Sequence, residues 1–195
     1  MAAKLTKAEQ TRRTRRAILD RARQLFAEKG YAATGTEEII RELGITRGAL
    51  YHQFKGKQAV FEAVVEEAYG EIMVYAKAQI QSVEDGWEML VCGCQAFLEV
   101  AQREDLRRIV LIEAPAVLAA DTLVKFDQYG FGLLREGIQT AVDKGQLNVV
   151  DAEGFSHLVN GALNELAVWV AQSDEPDRLA AAQTLAQELL ERHRA

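Results

Sequence analysis

Residues 34–57, TGTEEIIRELGITRGALYHQFKGK, constrain this chain more than any other stretch. Thr34 followed by Glu37 has the spacing of a capping box, which predicts a helix start with two orphan backbone donors satisfied. Ile39, Ile40 and Leu43 give that helix one apolar face. Gly44 falls where it must stop, because glycine takes the left-handed conformation of a helix C-terminus without the steric cost of a Cβ. Ile45 follows as an apolar plug, and Thr46 can cap a second helix, Arg47 to Phe54. Leu50 and Phe54 are its inward positions, while Arg47, Tyr51 and His52 have room to point outward. Two short helices joined by a tight glycine turn form the geometry that sets a recognition helix in the DNA major groove.

At these residues the chain resembles a known family. Ile18 to Val65 is similar to the DNA-binding domain of the tetracycline-repressor (TetR) family, through Phe26, Gly30, Tyr31, Thr34, Ile39, Gly44, Ile45, Thr46, Gly48, Leu50, Tyr51, Phe54 and Lys57. Any two amphipathic helices around a glycine imitate a helix-turn-helix, but this many positions in fixed register over a quarter of the chain is specific. Two positions depart from the family pattern: Gly35 stands where Ser or Thr is usual, and Ile40 where Ala is usual. Gly35 forgoes a hydroxyl contact, and Ile40 implies a wider gap between the two helices.

The resemblance implies an all-α fold of about nine helices. A basic, disordered arm over 1–13 would precede a three-helix DNA-binding domain over 14–60, and a larger helical effector-binding and dimerisation domain would fill 61–195. It also implies DNA contacts at Thr36, Thr46, Arg47, Gly48, Tyr51, His52 and Lys57. Arg47 opens the second helix and can fork onto guanine O6 and N7. Gly48 lets the backbone approach the groove, and Tyr51 and His52 can reach phosphate or a thymine methyl. Thr36 and Lys57 lie near helix N-termini, where orphan N–H groups favour phosphate. Phosphate contacts set register, so sequence preference falls to Arg47 and Gln53.

The charge distribution agrees with that division. The formal net charge is −6, but residues 1–57 hold 13 Lys and Arg against 6 Asp and Glu, a net of +7, and the remainder nets −13. A basic head on an acidic body is the asymmetry expected when only the head meets phosphate. Abundant Ala, Leu, Glu and Gln with 2 prolines point to helix throughout.

Further along, periodicity predicts helices over about 14–29, with Gly30 ending the first, then from Lys57 onward, 84–102, 105 to Pro115, 121–145, 151–173 and from Pro176 to the end. The helix from Lys57 is too long for the head alone, so it should bridge head and body. The one over 151–173 carries apolar residues nearly all round, which requires burial on two sides. Paired with the last helix in a four-helix bundle with a second copy, it would use Leu158, Ala162, Leu166, Val170, Leu185 and Leu189; the other reading is a helix central to its own domain. The resemblance favours the homodimer, and two recognition helices about 34 Å apart imply a palindromic operator in double-stranded DNA.

A body similar to the family's would hold a small-molecule effector of unknown identity. Its lining would come from Trp87, Phe97, Phe126 and Tyr129 and from the polar or aromatic side chains His157, Asn160, Asn164 and Trp169. Aromatics at such spacing also serve as plain core, and Asn160 and Asn164 could equally face a dimer interface. A body without a cavity would instead favour a regulator controlled by abundance or a protein partner.

An enzyme is poorly supported: the sequence has no phosphate-cradling glycine loop, no zinc-type spacing and no nucleophile elbow, and its three histidines are scattered. No catalytic residue, metal site or cofactor is expected. Cys92 and Cys94, two apart on one helix, suggest neither a disulfide nor a zinc knuckle and read as small apolar residues in a reducing cytoplasm. No apolar run spans a bilayer, so membrane association is not expected.

Overall fold

The computed structural model describes residues 6–195, apart from the side chain of Tyr129. Among the described residues ten α-helices account for the architecture: α1 Lys7–Ala33, α2 Thr36–Leu43, α3 Arg47–Gln53, α4 Lys57–Ile80, α5 Gly86–Glu99, α6 Glu104–Leu106, α7 Ala114–Val117, α8 Ala120–Asp143, α9 Ala152–Ala171 and α10 Arg178–Glu191. Among the described residues no strand occurs; the chain end pairs briefly with the loop after α8, where Asn148 N–H donates to His193 C=O at 2.8 Å.

The first helix begins earlier than periodicity indicates. Within the basic arm only residues 1–5 lie outside the described region, and from Lys7 the chain is helical. Thr6 and Glu9 form the capping box: Thr6 N–H donates to the Glu9 carboxylate at 2.7 Å, and Glu9 N–H donates to Thr6 Oγ1 at 3.3 Å. The first two turns of α1 have no apolar face, which is why the 3.6-residue pattern misses them; the Thr6–Glu9 cap supports them instead.

Thr34 does not cap α2. Its hydroxyl is buried and donates to the carbonyls of Gly30, at 2.8 Å, and Leu25, at 3.2 Å. It ties off the end of α1, and α2 starts one step later with Gly35 at the cap position and no side-chain cap. Gly44 adopts φ 62 and ψ 25, the left-handed stop, and Thr46 Oγ1 accepts from Ala49 N–H at 3.2 Å.

Between α6 and α7 the chain passes through a wider, π-type turn, Arg107–Glu113, and Pro115 falls in the first turn of α7, where its missing N–H matters least. This splits the single helix expected before Pro115 and raises the helix number above nine.

One apolar core holds α1, α2, α3 and the first half of α4 together and continues into Leu106, Ile109 and Val110 of the following turns. Phe26 and Phe61 meet edge to face at its centre with ring centroids 5.0 Å apart. A second core joins α5, α8, α9 and α10 around Leu98, Ile138, Leu163 and Leu190. The helix α4 serves both halves. Its N-terminal half is buried on nearly every side, and its C-terminal half is one wall of the body, with Val74 out in solvent.

An ion-pair cluster ties the two halves side by side. Arg23 of α1 pairs with Glu71 of α4, at 2.8 Å through Nη2, and with Asp105 of α6 at 2.6 Å. The Arg23 hydrogen bond and charge hold the Glu71 carboxyl below its ordinary 4.5 against the opposing effect of burial. Burial works against Asp105 too, but Arg23 outweighs it and the net shift is downward. No helix among the described residues is long and apolar enough to cross a membrane.

Candidate nucleic-acid interface and ligand cavity

The helix α3 packs inward through Leu50, and Phe54 after it is also buried, so its other face is left free. Thr46, Arg47, Gly48, Tyr51 and His52 are all exposed on that face, Tyr51 at 44%. The Arg47 guanidinium is held only loosely, 3.6 Å from the exposed Glu37 carboxylate and 5.5 Å from the Tyr51 ring centroid. Thr46 spends one lone pair on its cap and keeps the rest of its hydroxyl at the surface. Thr36 is half-buried in the first turn of α2.

Lys57 is placed differently from a free surface cation. Its ammonium donates to Tyr31 C=O at 2.8 Å and lies 4.1 Å from the Tyr31 ring centroid, so it also fastens the end of α1 to the start of α4. Exposed basic residues continue along α1, with Arg15 over the Phe54 ring at 4.4 Å.

In the body, α4, α5, α8 and α9 enclose a slot of about 350 Å³. Its walls are chiefly Ile72, Met73, Leu90, Phe97, Leu133 and Leu163. Four glycines also line it, Gly86 and Gly93 on α5 and Gly130 and Gly137 on α8, each pair seven residues apart and so on one helix face. Asp127 and Asn160 stand at one end, joined by an Asn160 Nδ2 to Asp127 Oδ2 hydrogen bond of 3.0 Å. Glu84 and Lys144 stand towards the other.

Of the side chains expected to line a ligand site, Phe97 and Asn160 are on this slot. Asn164 faces a separate crevice of about 20 Å³ beside Tyr69. Trp87 is core, beneath Arg194 at 5.0 Å. Phe126 stacks on Tyr69 away from the slot, at 5.7 Å. His157 is exposed beside Phe131, and Trp169 is at the surface under Arg178, 4.3 Å away. The Tyr129 side chain lies outside the described ones. Helical position alone cannot say which neighbour a side chain meets, and Trp87, Phe126, His157, Asn164 and Trp169 do not line the slot. Asp127 and the four glycines, which aromatic spacing does not flag, do line it.

Of the side chains expected at a second copy, Leu158 is 56% exposed and Leu185 48% exposed. Ala162, Leu166 and Leu189 are half-buried at the edge of that face. Val170 is buried within the protomer, where it turns into the core with Ala167 and Leu163. Both cysteines are free, and burial pushes the Cys94 thiol up to about 12. Among the described residues no cluster of His, Cys, Asp and Glu is arranged to hold a metal ion.

A helix-turn-helix with a bare outer face, joined by one long helix to a hollow helical body, defines a DNA-binding regulatory protein. Residues 18–64 match the family described as bacterial regulatory proteins, tetR family, and residues 87–193 match the tetracyclin repressor-like C-terminal domain. The chain belongs to the TetR family of transcriptional regulators and is not an enzyme. A crystal structure of a TetR-family transcriptional regulator from Pectobacterium atrosepticum is 31% identical, covers 98% of both chains and superimposes with a TM-score of 0.83. The HTH-type transcriptional repressor Rv1474c of Mycobacterium tuberculosis is 27% identical over 176 residues, 86% of this chain and 87% of its own length. The regulator FadR from Bacillus subtilis, in complex with stearoyl-CoA, shares the fold at 18% identity with a TM-score of 0.76, over 90% of this chain and 97% of its own.

Proposed function

We propose that the protein is a repressor that binds a palindromic operator as a homodimer and is released from it by a small-molecule effector. The observation that carries this reading is structural continuity. The helix that follows α3 after a three-residue link is the same helix, α4, that walls the slot. A ligand in the slot presses on Ile72, Met73, Ala76 and Ile80, and rotation of α4 would re-aim α3 at the other end.

The exposed row Thr46, Arg47, Gly48, Tyr51 and His52 would enter the major groove, with Arg47 reading guanine. Thr36 and the remaining N–H donors of Lys57 would take phosphate. Leu158 and Leu185 would meet their equivalents in a four-helix contact between copies. One seven-residue helix reads too few base pairs for a unique site, so a dimer with two half-sites is the economical solution. The similarity to a named repressor supports the direction of control, and the acyl-CoA-bound FadR fold supports a ligand within the body. A cytoplasmic location follows from a target in DNA.

The effector can act only by binding the DNA-incompetent state more tightly than the competent one. The open slot favours this reading over control by abundance alone. Selection of binding sites from random duplex DNA tests it: the expected product is a palindromic consensus, and recovery of no consensus would overturn it.

A further inference from the structure

Charge in the slot is unevenly spread for so apolar a cavity. Its lining holds three carboxylates, Glu84, Asp127 and Glu136, against the single cation Lys144. Glu84, Glu136 and Lys144 are exposed at the rim, where water screens them. Asp127 is half-buried, and Lys144 is about 25 Å away along the helix at 1.5 Å per residue. Among the described residues, no Lys, Arg or His lies within ion-pair distance of Asp127; its one hydrogen-bond partner is the Asn160 amide, on Oδ2. The other oxygen, Oδ1, points beside Gly130, where a Cβ would lie 3.9 Å from it and 3.5 Å from the Met73 sulfur. Space is therefore left next to an uncompensated carboxylate.

The local field agrees. The Tyr69 hydroxyl is pushed up to about 12, first by burial and then by the charge of Asp127. A ligand carboxylate or phosphate brought to this end would lose water and meet a like charge. A cation would lose water and gain an opposite one, while its apolar body lay along Met73, Leu90, Phe97 and Leu133. Methionine sulfur and an aromatic ring are also hospitable to a soft organic cation.

We infer that the slot takes an elongated lipophilic cation, an amine or quaternary ammonium on an apolar body, with its charged group seated against Asp127 Oδ1 beside Gly130 and Met73. This rests on the effector reading above and names the chemistry of the same site. The binding involves no covalent step.

The test uses the full-length protein and three probes that share one tail: decyltrimethylammonium, decanesulfonate and 1-decanol, titrated calorimetrically below their aggregation limits. The expected result is that the cation binds at least about tenfold more tightly than the sulfonate. Asp127→Asn, which keeps the shape and a hydrogen bond to Asn160, should weaken the cation about tenfold and leave the alcohol within about twofold. Asn160→Asp should strengthen the cation relative to the alcohol, so the inference does not depend on one variant folding. Equal or tighter binding of the sulfonate, binding of none of the three, or a cation affinity indifferent to both variants would overturn it. The same samples, scored for release of the selected DNA, separate the two proposals. A sulfonate that binds tightly and releases DNA would leave the effector reading standing and sink this inference. A cation that binds as expected without releasing DNA would do the reverse.

Discussion

Replacing Gly30 with alanine should be the most costly single-methyl change in the head. Gly30 has φ 81 and ψ 168, inside α1, where the chain leaves the helical path before Tyr31. That region of backbone space is open almost only to glycine, and a Cβ there costs about 1–3 kcal/mol. The site is also closed. A Cβ would fall on the Glu113 carboxylate and 2.9 Å from Arg108 Nη2. Making room would disturb the Arg108–Glu113 pair at 3.6 Å and the Arg108 hydrogen bond to Glu28 C=O at 3.0 Å, about 1 kcal/mol more. The sum is about 2–4 kcal/mol, or roughly 5–15 °C in melting temperature for a chain of this size. Urea unfolding of four proteins reads the parts separately: wild type, Gly30→Ala, Glu113→Ala and the double variant. The double variant should recover about 1 kcal/mol of coupling and keep the backbone penalty. A loss below about 0.5 kcal/mol for Gly30→Ala, or full recovery in the double variant, would refute the reasoning.

Other outcomes follow from the same contacts. Glu71 and Asp105 have depressed folded values, so their contribution is present above their ordinary 4.5 and 3.8 and is lost as pH falls through the folded values. Melting temperature should therefore fall as pH is lowered from about 5 to 3 in the wild type, and Arg23→Met should flatten that slope while lowering stability at pH 7. Leu158→Arg together with Leu185→Arg should yield a folded monomer by sedimentation, whereas Val170→Ala should reduce stability by roughly 1–3 kcal/mol without changing the association state. Gly132→Ala, where the added Cβ meets nothing within 4 Å, should stabilise α8 by about 0.5–1 kcal/mol, read as a rise of roughly 2–4 °C.

Much of the head was legible in the residues because its signals are local. Gly44 and Thr46 act within four residues of themselves, and the structure uses both as the spacing indicates. The same kind of signal misled at Thr34. Thr-x-x-Glu occurs twice, at 6–9 and at 34–37, and only the first is a capping box. At the second, Thr34 is buried against the end of α1, and tertiary contacts outcompete a local hydrogen bond. The start of α1 was missed for the opposite reason: a helix without a core face has no apolar period to read. In the body, Asn160 was legible as an amide in an apolar helix, whereas His157, one turn earlier, faces water. The slot itself is lined from four helices, and no pattern within one helix states which face meets which.

The most direct test of the central claim is the affinity of wild type and Arg47→Ala, by fluorescence anisotropy at fixed salt, for the selected operator and for a scrambled duplex. A dimer makes the Arg47 contact twice, at about 1–3 kcal/mol each, so the variant should lose about 30-fold or more on the operator and little on the scrambled duplex. Equal losses on both duplexes, or none on the operator, would contradict a head that reads sequence through α3.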